Sequence, residues 1–553
     1  MRVLPVLALL LTLVGPPAAE RAPDTLTISI VGTSDLHGRI AALPWLGGYL
    51  KNLRAARAHD GGGVIVVDAG DMFQGTLESN LAEGAPVVAA YNLLGYAAAA
   101  LGNHEFDFGP KGPAPSPTKP GDDPRGALKA RAAQAQFPFL AANVVDQATR
   151  RPVSWPNVKP STLVTVAGIK VGIVGVATPT TGQAALPANV AGLAFPAMAE
   201  TIVPEARKLR AAGATVVIAV AHEGGACQSF DAPDRLGACE GKSAIFQLAR
   251  DLPKGTVDAI VGGHTHQAVA HRVASVPVIQ SYANGRAFGR IDLTIERASG
   301  KVLAASIKPP HDLCPSGELP ACVPGDYEGA KVTADEAIVA LNQQAIAAAG
   351  KQGEERLGIE VLGPLPNRRG EESALGNLLA DLMLKAQPGS DVAVLNGGGM
   401  RKGLPAGPLT FGSLYEAFPF DNAFASLRMT AVHFRRRLAH SLARASSQVS
   451  LSGVRVLARC KGGVLEVTIT RSDGKPIADS EQLVVTTTDF LATGGDGFFA
   501  PAEATIANGP LLREAMAEEL RKRGGTLDPD QLFDRKHPRF DLPGPVPVRC
   551  DQK

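Results

Sequence analysis

The chain has 553 residues, 45% of them hydrophobic and 20% charged, with a formal net charge of only +2. That length exceeds what one hydrophobic core supports and implies at least two domains. The near-zero charge excludes the broad basic surface that a nucleic-acid polymer requires, but a small anionic substrate held by a few local cations stays open.

The first twenty residues, MRVLPVLALLLTLVGPPAAE, join Arg2 to an apolar run from Val3 to Val14 and small residues ending near Ala19. This reads as a secretory signal over residues 1–19, too short for stable membrane insertion. Six cysteines suit an oxidising compartment, so the expected location is periplasmic or secreted. Cys227 and Cys239 flank one loop-like stretch, and Cys314 and Cys322 flank another. Local pairing within each is the simplest arrangement, with Cys460 and Cys550 left over, although other pairings are possible. No C-x-x-C spacing occurs, which argues against a thiolate zinc site.

Over residues 25–310 the chain alternates apolar β-branched runs with helix-like stretches. The runs are LTISIVG, VIVVDAG, IKVGIVGVA, TVVIAVAH and VDAIVGGH, and PVVAAYNLLG and ETIVPEARKLRAAG read as helices between them. Continuous apolar runs of this length predict strands buried on both faces, hence a layered α/β domain. The Pro/Gly-rich segment 111–126 reads as a surface loop. Residues 311–354 read as a linker that contains a connecting helix over 332–350, with Gly350 as its stop. A second α/β domain is expected over 355–553, from strand-like DVAVLN, ASLRMT, SGVRVLAR and QLVVTTTDF and helix-like ALGNLLADLML and AVHFRRRLAHSLARA.

Five apolar or small-residue runs of the first domain end in groups that ligate metals. They deliver Asp35 and His37, then Asp71, then Asn103 beside His104, then His222, then His264 and His266. Strand ends in α/β sheets gather ligands, so distant residues can share one site. Oxygen and nitrogen donors of this kind suit zinc, manganese or iron. Two such ions can clamp the attacking and leaving oxygens of an in-line displacement and activate water at neutral pH. Any one of these pieces is commonly a turn or a core hydrogen bond; five in order are not coincidence.

Asp35-Leu36-His37-Gly38, Gly70-Asp71, Gly102-Asn103-His104-Glu105, His222 and Gly263-His264-Thr265-His266 together resemble the ordered signature of calcineurin-like metallophosphoesterases. Asn103-His104-Glu105-Phe106-Asp107 narrows the resemblance to the secreted bacterial 5′-nucleotidase branch. The resemblance implies a four-layer α/β/β/α N-terminal domain and a C-terminal α/β substrate-binding domain. It implies two divalent metal ions, with Asp35, His37 and His266 on one, Asn103, His222 and His264 on the other, and Asp71 bridging. His104 would stabilise the phosphoryl group in the transition state, and Asp107 would orient His104. One departure is His266, where this branch often carries an amide residue; imidazole can occupy that coordination position.

In the second half, Asn396-Gly397-Gly398-Gly399-Met400-Arg401 follows a strand-like run, where glycines let a ligand approach the backbone and Arg401 offers a forked donor. Phe420 and Asn422 lie in one loop-like cluster, Phe490 and Asp496 in another, and Arg368 and Arg369 precede a helix. Singly, each has a bland reading as core, turn or solvated pair. By resemblance to the 5′-nucleotidase C-terminal domain, Phe420 and Phe490 would stack on a nucleobase and Asp496 would bind the ribose. Asn396 and Asn422 would meet base edge or sugar, and Arg369, Arg401 and Arg368 would contact phosphate. The implied activity is hydrolysis of nucleoside 5′-monophosphates, with rotation of one domain against the other during turnover. Alternatives on the same frame are a nucleotide-sugar pyrophosphatase, a 2′,3′-cyclic nucleotide phosphodiesterase and a sulfur-ester hydrolase. A non-catalytic nucleotide-binding surface protein is a further alternative, disfavoured because every expected ligand position is filled.

Overall fold

The computed structural model describes residues 24–314, 322–368, 370–444, 448–500, 504–506 and 509–550. The signal-like stretch 1–19 and Arg369 lie outside the described residues. Two sheets form the first domain. One, in spatial order, is Val302–Asp312, Ala287–Glu296, Thr25–Thr33, Gly63–Asp68, Ala98–Ala100, Phe139–Leu140 and Val158–Lys159. The other is Ala268–Val273, Val276–Ser281, Ala259–Gly262, Val216–His222, Ile169–Ala177 and Ser161–Val166. The central strands of each run parallel, with Thr33 beside Asp68 in one and His222 beside Ala177 in the other.

Alternation along each strand sends successive side chains to opposite faces. Ile28, Ile30, Ile65 and Val67 therefore meet Val171, Ile173, Ile218 and Val261 of the facing sheet. The intervening Val31 and Val66 point the other way, into helices Leu43–His59, Ala85–Leu94 and Gly126–Gln134. Helices Met198–Ala211 and Ala244–Asp251 cover the outer face of the second sheet. The result is the four-layer α/β/β/α stack. Its strands look apolar on both sides because one face meets a sheet and the other a helix layer.

Helix Glu336–Gly353 joins the halves. It begins later than the composition suggested because the Asp335 carboxylate caps it, accepting the N–H groups of Ala337 and Ile338. It also runs through Gly350 rather than stopping there, as Ala349 in its last turn packs into the second domain's core. At its other end Ile338 belongs to the first domain's core, and Asn342 Nδ2 donates to the Ile40 carbonyl at 2.7 Å. The second domain is built on a five-stranded sheet ordered Ser450–Ser452, Val392–Leu395, Gln482–Thr488, Phe424–Thr430 and Thr505–Ile506. Disulfides join Cys227 to Cys239, Cys314 to Cys322 and Cys460 to Cys550. Among the described residues no helix is long and apolar enough to cross a membrane.

Candidate active site

Five strands of the first domain end at one place. The loop after Thr25–Thr33 presents Asp35 and His37, that after Gly63–Asp68 presents Asp71, and that after Ala98–Ala100 presents Asn103. His222 is the last residue of its strand, and His264 and His266 follow Ala259–Gly262. Five of these seven residues have left-handed backbone: Asp35 (φ 52°), His37 (49°), Asp71 (60°), His264 (72°) and His266 (58°). Such conformations cost non-glycine residues roughly 1–3 kcal/mol each and persist only where the surroundings enforce them. Gly102 shows how tightly: a Cβ there would lie 2.2 Å from Asp71 Oδ1 and 2.8 Å from the His222 ring.

The side chains fall into two groups that share Asp71. Asp35, His37, Asp71 and His266 form one, and Asp71, His222 and His264 the other, each with its ligand atoms within 4.8 Å of one another. His37 Nδ1 donates to the Gln74 carbonyl at 2.8 Å, and His222 Nδ1 donates to the Ala69 carbonyl at 2.7 Å. A carbonyl only accepts, so each Nδ1 carries a proton and each Nε2 is turned inward, where it can serve as a metal ligand. His37 Nε2 faces His266 Nε2 at 2.9 Å. His222 Nε2 faces Asn103 Oδ1 at 3.1 Å, Asp71 Oδ2 at 3.2 Å and His264 Nδ1 at 3.2 Å. Two imidazole nitrogens bound side by side to one ion at ~2.1 Å lie ~3 Å apart, so these spacings suit a divalent cation in each group. The electrostatics differ between the two groups. Burial disfavours an imidazolium at His222, yet the Asp71 carboxylate beside it raises its pKa to about 10. Burial and the nearby Arg401 and His266 hold His37 well below its ordinary value. The donor set therefore fits two divalent ions bridged by Asp71.

His104 stands beside this cluster without joining it. Its backbone N–H donates to Asp71 Oδ1 at 2.9 Å, and its Nδ1 lies 2.6 Å from Asp107 Oδ2. Burial works against its charge, but the carboxylates of Asp107 and Asp71 raise its pKa overall. With Nδ1 on Asp107, its Nε2 is turned toward the cluster, 4.0 Å from Asp71 Oδ2. Two other buried groups, with no role expected from sequence, hold the ligand loops in place. Glu105 accepts the N–H groups of Asp71 (2.9 Å), Met72 (2.7 Å) and Gly102 (2.7 Å), fixing the bridging loop. Gln280 donates from Nε2 to Thr265 Oγ1 at 2.8 Å and accepts from Gly225 N–H at 3.0 Å, holding the turn between His264 and His266. Glu105 was visible next to His104; nothing in a strand such as VPVIQS marked Gln280.

The second domain closes the cluster from above. A cleft of about 490 Å³ is lined by Asp71, Asn103, His104, Asp107, His264 and His266 on one wall and by Asn396, Arg401, Phe420, Asn422, Phe490 and Asp496 on the other. Arg401 Nη2 reaches His37 Nε2 at 3.3 Å and His104 Nε2 at 3.4 Å. Its guanidinium carbon lies 5.6 Å from the Phe420 ring centre, and that ring is 5.5 Å from His104. Asp496 (φ 52°) accepts from Asn396 Nδ2 at 2.8 Å, which leaves its other oxygen for a ligand. A Cβ on Gly495 would fall 2.5 Å from the Phe490 ring, so that ring needs glycine beside it. Arg368 is not brought here. It pairs with Glu371 at 2.8 Å and lines a separate surface groove with Phe533 and Phe540.

Residues 28–268 match the calcineurin-like phosphoesterase family, and residues 358–503 match the 5′-nucleotidase C-terminal domain. The chain thus joins a calcineurin-like phosphoesterase domain to a 5′-nucleotidase C-terminal domain. Protein UshA of Yersinia enterocolitica is 26% identical over 525 residues, covering 88% of each chain. Among solved structures, a 5′-nucleotidase precursor from Thermus thermophilus shares the fold with a TM-score of 0.71 at 24% identity, covering 94% of this chain and 99% of that one. The sulfate thiohydrolase SoxB of the same organism shares it at 0.69 and 17% identity, covering 94% and 97%. A chain with these two domains and this His/Asp cluster is a metal-dependent phosphoester hydrolase.

Proposed function

We propose that the chain hydrolyses nucleoside 5′-monophosphates to nucleoside and phosphate outside the cytoplasm. The observation that carries this reading is the single cleft that runs from the His/Asp cluster to the aromatic loops of the second domain. Phosphate at one end and base at the other is what such a cleft accommodates. When bound, two divalent ions supply Lewis acidity at the phosphoryl group and at the attacking water. Asp35, His37 and His266 would hold one, Asn103, His222 and His264 the other, with Asp71 between them. Arg401 is placed to pair with phosphoryl oxygens, and His104, whose charged form Asp107 favours, to stabilise the developing negative charge and protonate the leaving O5′. Phe420 and Phe490 present apolar faces for the base, and Asp496 presents a carboxylate for the ribose hydroxyls.

The same aromatic and carboxylate pair favours a nucleotide over the sulfur ester that the SoxB likeness would suggest. Three disulfides and the apolar N-terminal run support an extracytoplasmic location. Purified protein should release phosphate from AMP, lose that activity on chelation and regain it with added zinc or manganese. Phe490→Ala should raise KM for AMP by about tenfold, the loss of ~1–3 kcal/mol of stacking, while p-nitrophenyl phosphate hydrolysis changes little. Equal losses on both substrates would remove the base-stacking role.

A further inference from the structure

The loop after Asp71 carries a side chain that the chemistry above leaves without a task. Gln74 is 2% exposed and lines the cleft together with Asp71 and His104. Among the described residues neither its Oε1 nor its Nε2 has a hydrogen-bond partner. Leaving both ends of a buried amide unpaired is costly, and folded proteins rarely tolerate it without a use. The main chain on either side of Gln74 is pinned. The Phe73 carbonyl accepts from Ser79 Oγ at 2.6 Å, and the Gly75 N–H donates to Asn80 Oδ1 at 3.0 Å. A Cβ on Gly75 would fall 2.4 Å from the His37 carbonyl oxygen, so the loop packs directly on the His37 main chain. The amide is thus held in the cleft wall by a backbone that has no room to carry it elsewhere.

Its neighbours mark which end of the cleft it serves. The Gln74 carbonyl holds His37 Nδ1 at 2.8 Å, and Arg401 Nη2 lies 3.3 Å from Nε2 of the same ring. Gln74 therefore stands at the His/Asp end. We propose that Gln74 is a phosphate-binding residue, its Nε2 donating to a non-bridging oxygen of the phosphoryl group that Arg401 also meets. A phosphate dianion only accepts, so of the two ends of the amide only the N–H end can pair with it. The ligand class is a phosphate monoester dianion, and inorganic phosphate as its product. A neutral donor adds a hydrogen bond to the charged oxygen without adding a fixed charge to a wall already carrying Arg401. The inference rests on the phosphoester reading above and is independent of what the leaving group is.

The test compares wild type with Gln74→Met, which keeps the length and removes both polar ends, and with Gln74→Glu, which keeps the shape but offers phosphate a carboxylate. At pH 8 with metal present, Gln74→Met should lose about tenfold or more in kcat/KM on AMP and on p-nitrophenyl phosphate alike. Inorganic phosphate should inhibit it about tenfold more weakly than wild type. Gln74→Glu should lose more on each count, since like charges repel. Metal content per chain should match wild type in both variants. The urea midpoint of Gln74→Met should be no lower than that of wild type, because an unpaired buried amide has been removed. Unchanged efficiency and phosphate inhibition in either variant overturns the proposal. So does a loss confined to AMP, which would put the amide on the nucleoside. A missing equivalent of metal would make Gln74 a support for His37 instead, and a lowered urea midpoint would make it a packing residue; each overturns the proposal. If wild type cleaves p-nitrophenyl phosphate but not AMP, the nucleotide reading falls, and the p-nitrophenyl phosphate and phosphate-inhibition arms decide this inference on their own.

Discussion

Single residues here are tuned against one another through burial. Asp489 is the clearest case outside the His/Asp cluster. Burial pushes its pKa up to about 6, opposed by its hydrogen bonds from Asn422 and from the backbone of Ala423 and Phe490. A carboxyl whose folded pKa exceeds its unfolded value near 3.8 holds its proton more tightly in the folded state. Its contribution to stability is therefore complete below about pH 4 and is lost as pH rises through about 6. The amount is ~3 kcal/mol for a shift of this size. Asp489→Asn keeps the shape without the titration, so the difference in unfolding free energy between wild type and variant should fall by about that amount between pH 4 and pH 7. A flat difference in urea unfolding across that range would show that the carboxyl does not titrate. At this scale the sequence was informative about ligand types, since each of Asp35, His37, Asp71, Asn103, His222, His264 and His266 ends or follows an apolar run. It was silent about the left-handed backbone that lets five of them turn inward, because φ is set by the loops as packed.

At the scale of elements, the aromatic loop depends on a helix whose sequence advertises nothing. Helix Leu512–Arg523 presents Arg513, 2% exposed, to the back of the loop. Its Nη1 donates to the carbonyls of Phe418 (3.4 Å) and Phe420 (3.2 Å), its Nη2 pairs with Asp421 at 2.6 Å, and its plane lies 3.9 Å from the Tyr415 ring. One planar fork thus fixes the backbone on both sides of Pro419, a task a lysine's single ammonium cannot share. Arg513→Met should cost ~2–4 kcal/mol in urea unfolding, less than a fully buried pair because Asp421 keeps some solvent. It should also raise KM for AMP more than it lowers kcat on p-nitrophenyl phosphate, and Arg513→Lys should not restore it. A KM for AMP equal to wild type in folded Arg513→Met would leave the arginine merely structural. The parallel strands were legible in LTISIVG, VIVVDAG, IKVGIVGVA and TVVIAVAH, since both faces of each are covered. The antiparallel flank was not. Val302–Asp312 has mostly half-buried and exposed positions, with no continuous apolar run to mark it. The division of the strands between two sheets was equally invisible, because every core strand is apolar whichever sheet it joins.

At the scale of the whole molecule, the site exists only where the two domains meet. Arg401 crosses to His37 and His104, the Arg39 guanidinium pairs with Glu416, and Asn80 Nδ2 donates to the Pro419 carbonyl at 3.4 Å. Glu416 is held from its own side by Lys402 at 2.7 Å. These contacts are polar, and beside them Leu77 packs into the second domain's apolar core and the Phe420 ring lies against His104. An interface of that kind can part and re-form, as helix Glu336–Gly353 stays anchored at its first turns by Ile338 and Asn342. The cleft has walls from both domains, which predicts that product release needs them to separate and that this step limits turnover. Replacing Arg39 and Glu416 by cysteine and joining them with a short thiol-specific linker holds the two walls together. The joined form should lose about tenfold or more in kcat relative to the same double variant left unjoined. A long flexible linker at the same positions, able to span the parted domains, should restore it. If the short-linked enzyme turns over as fast as the unjoined variant, the domains do not need to part, and product must leave by another route through the closed cleft.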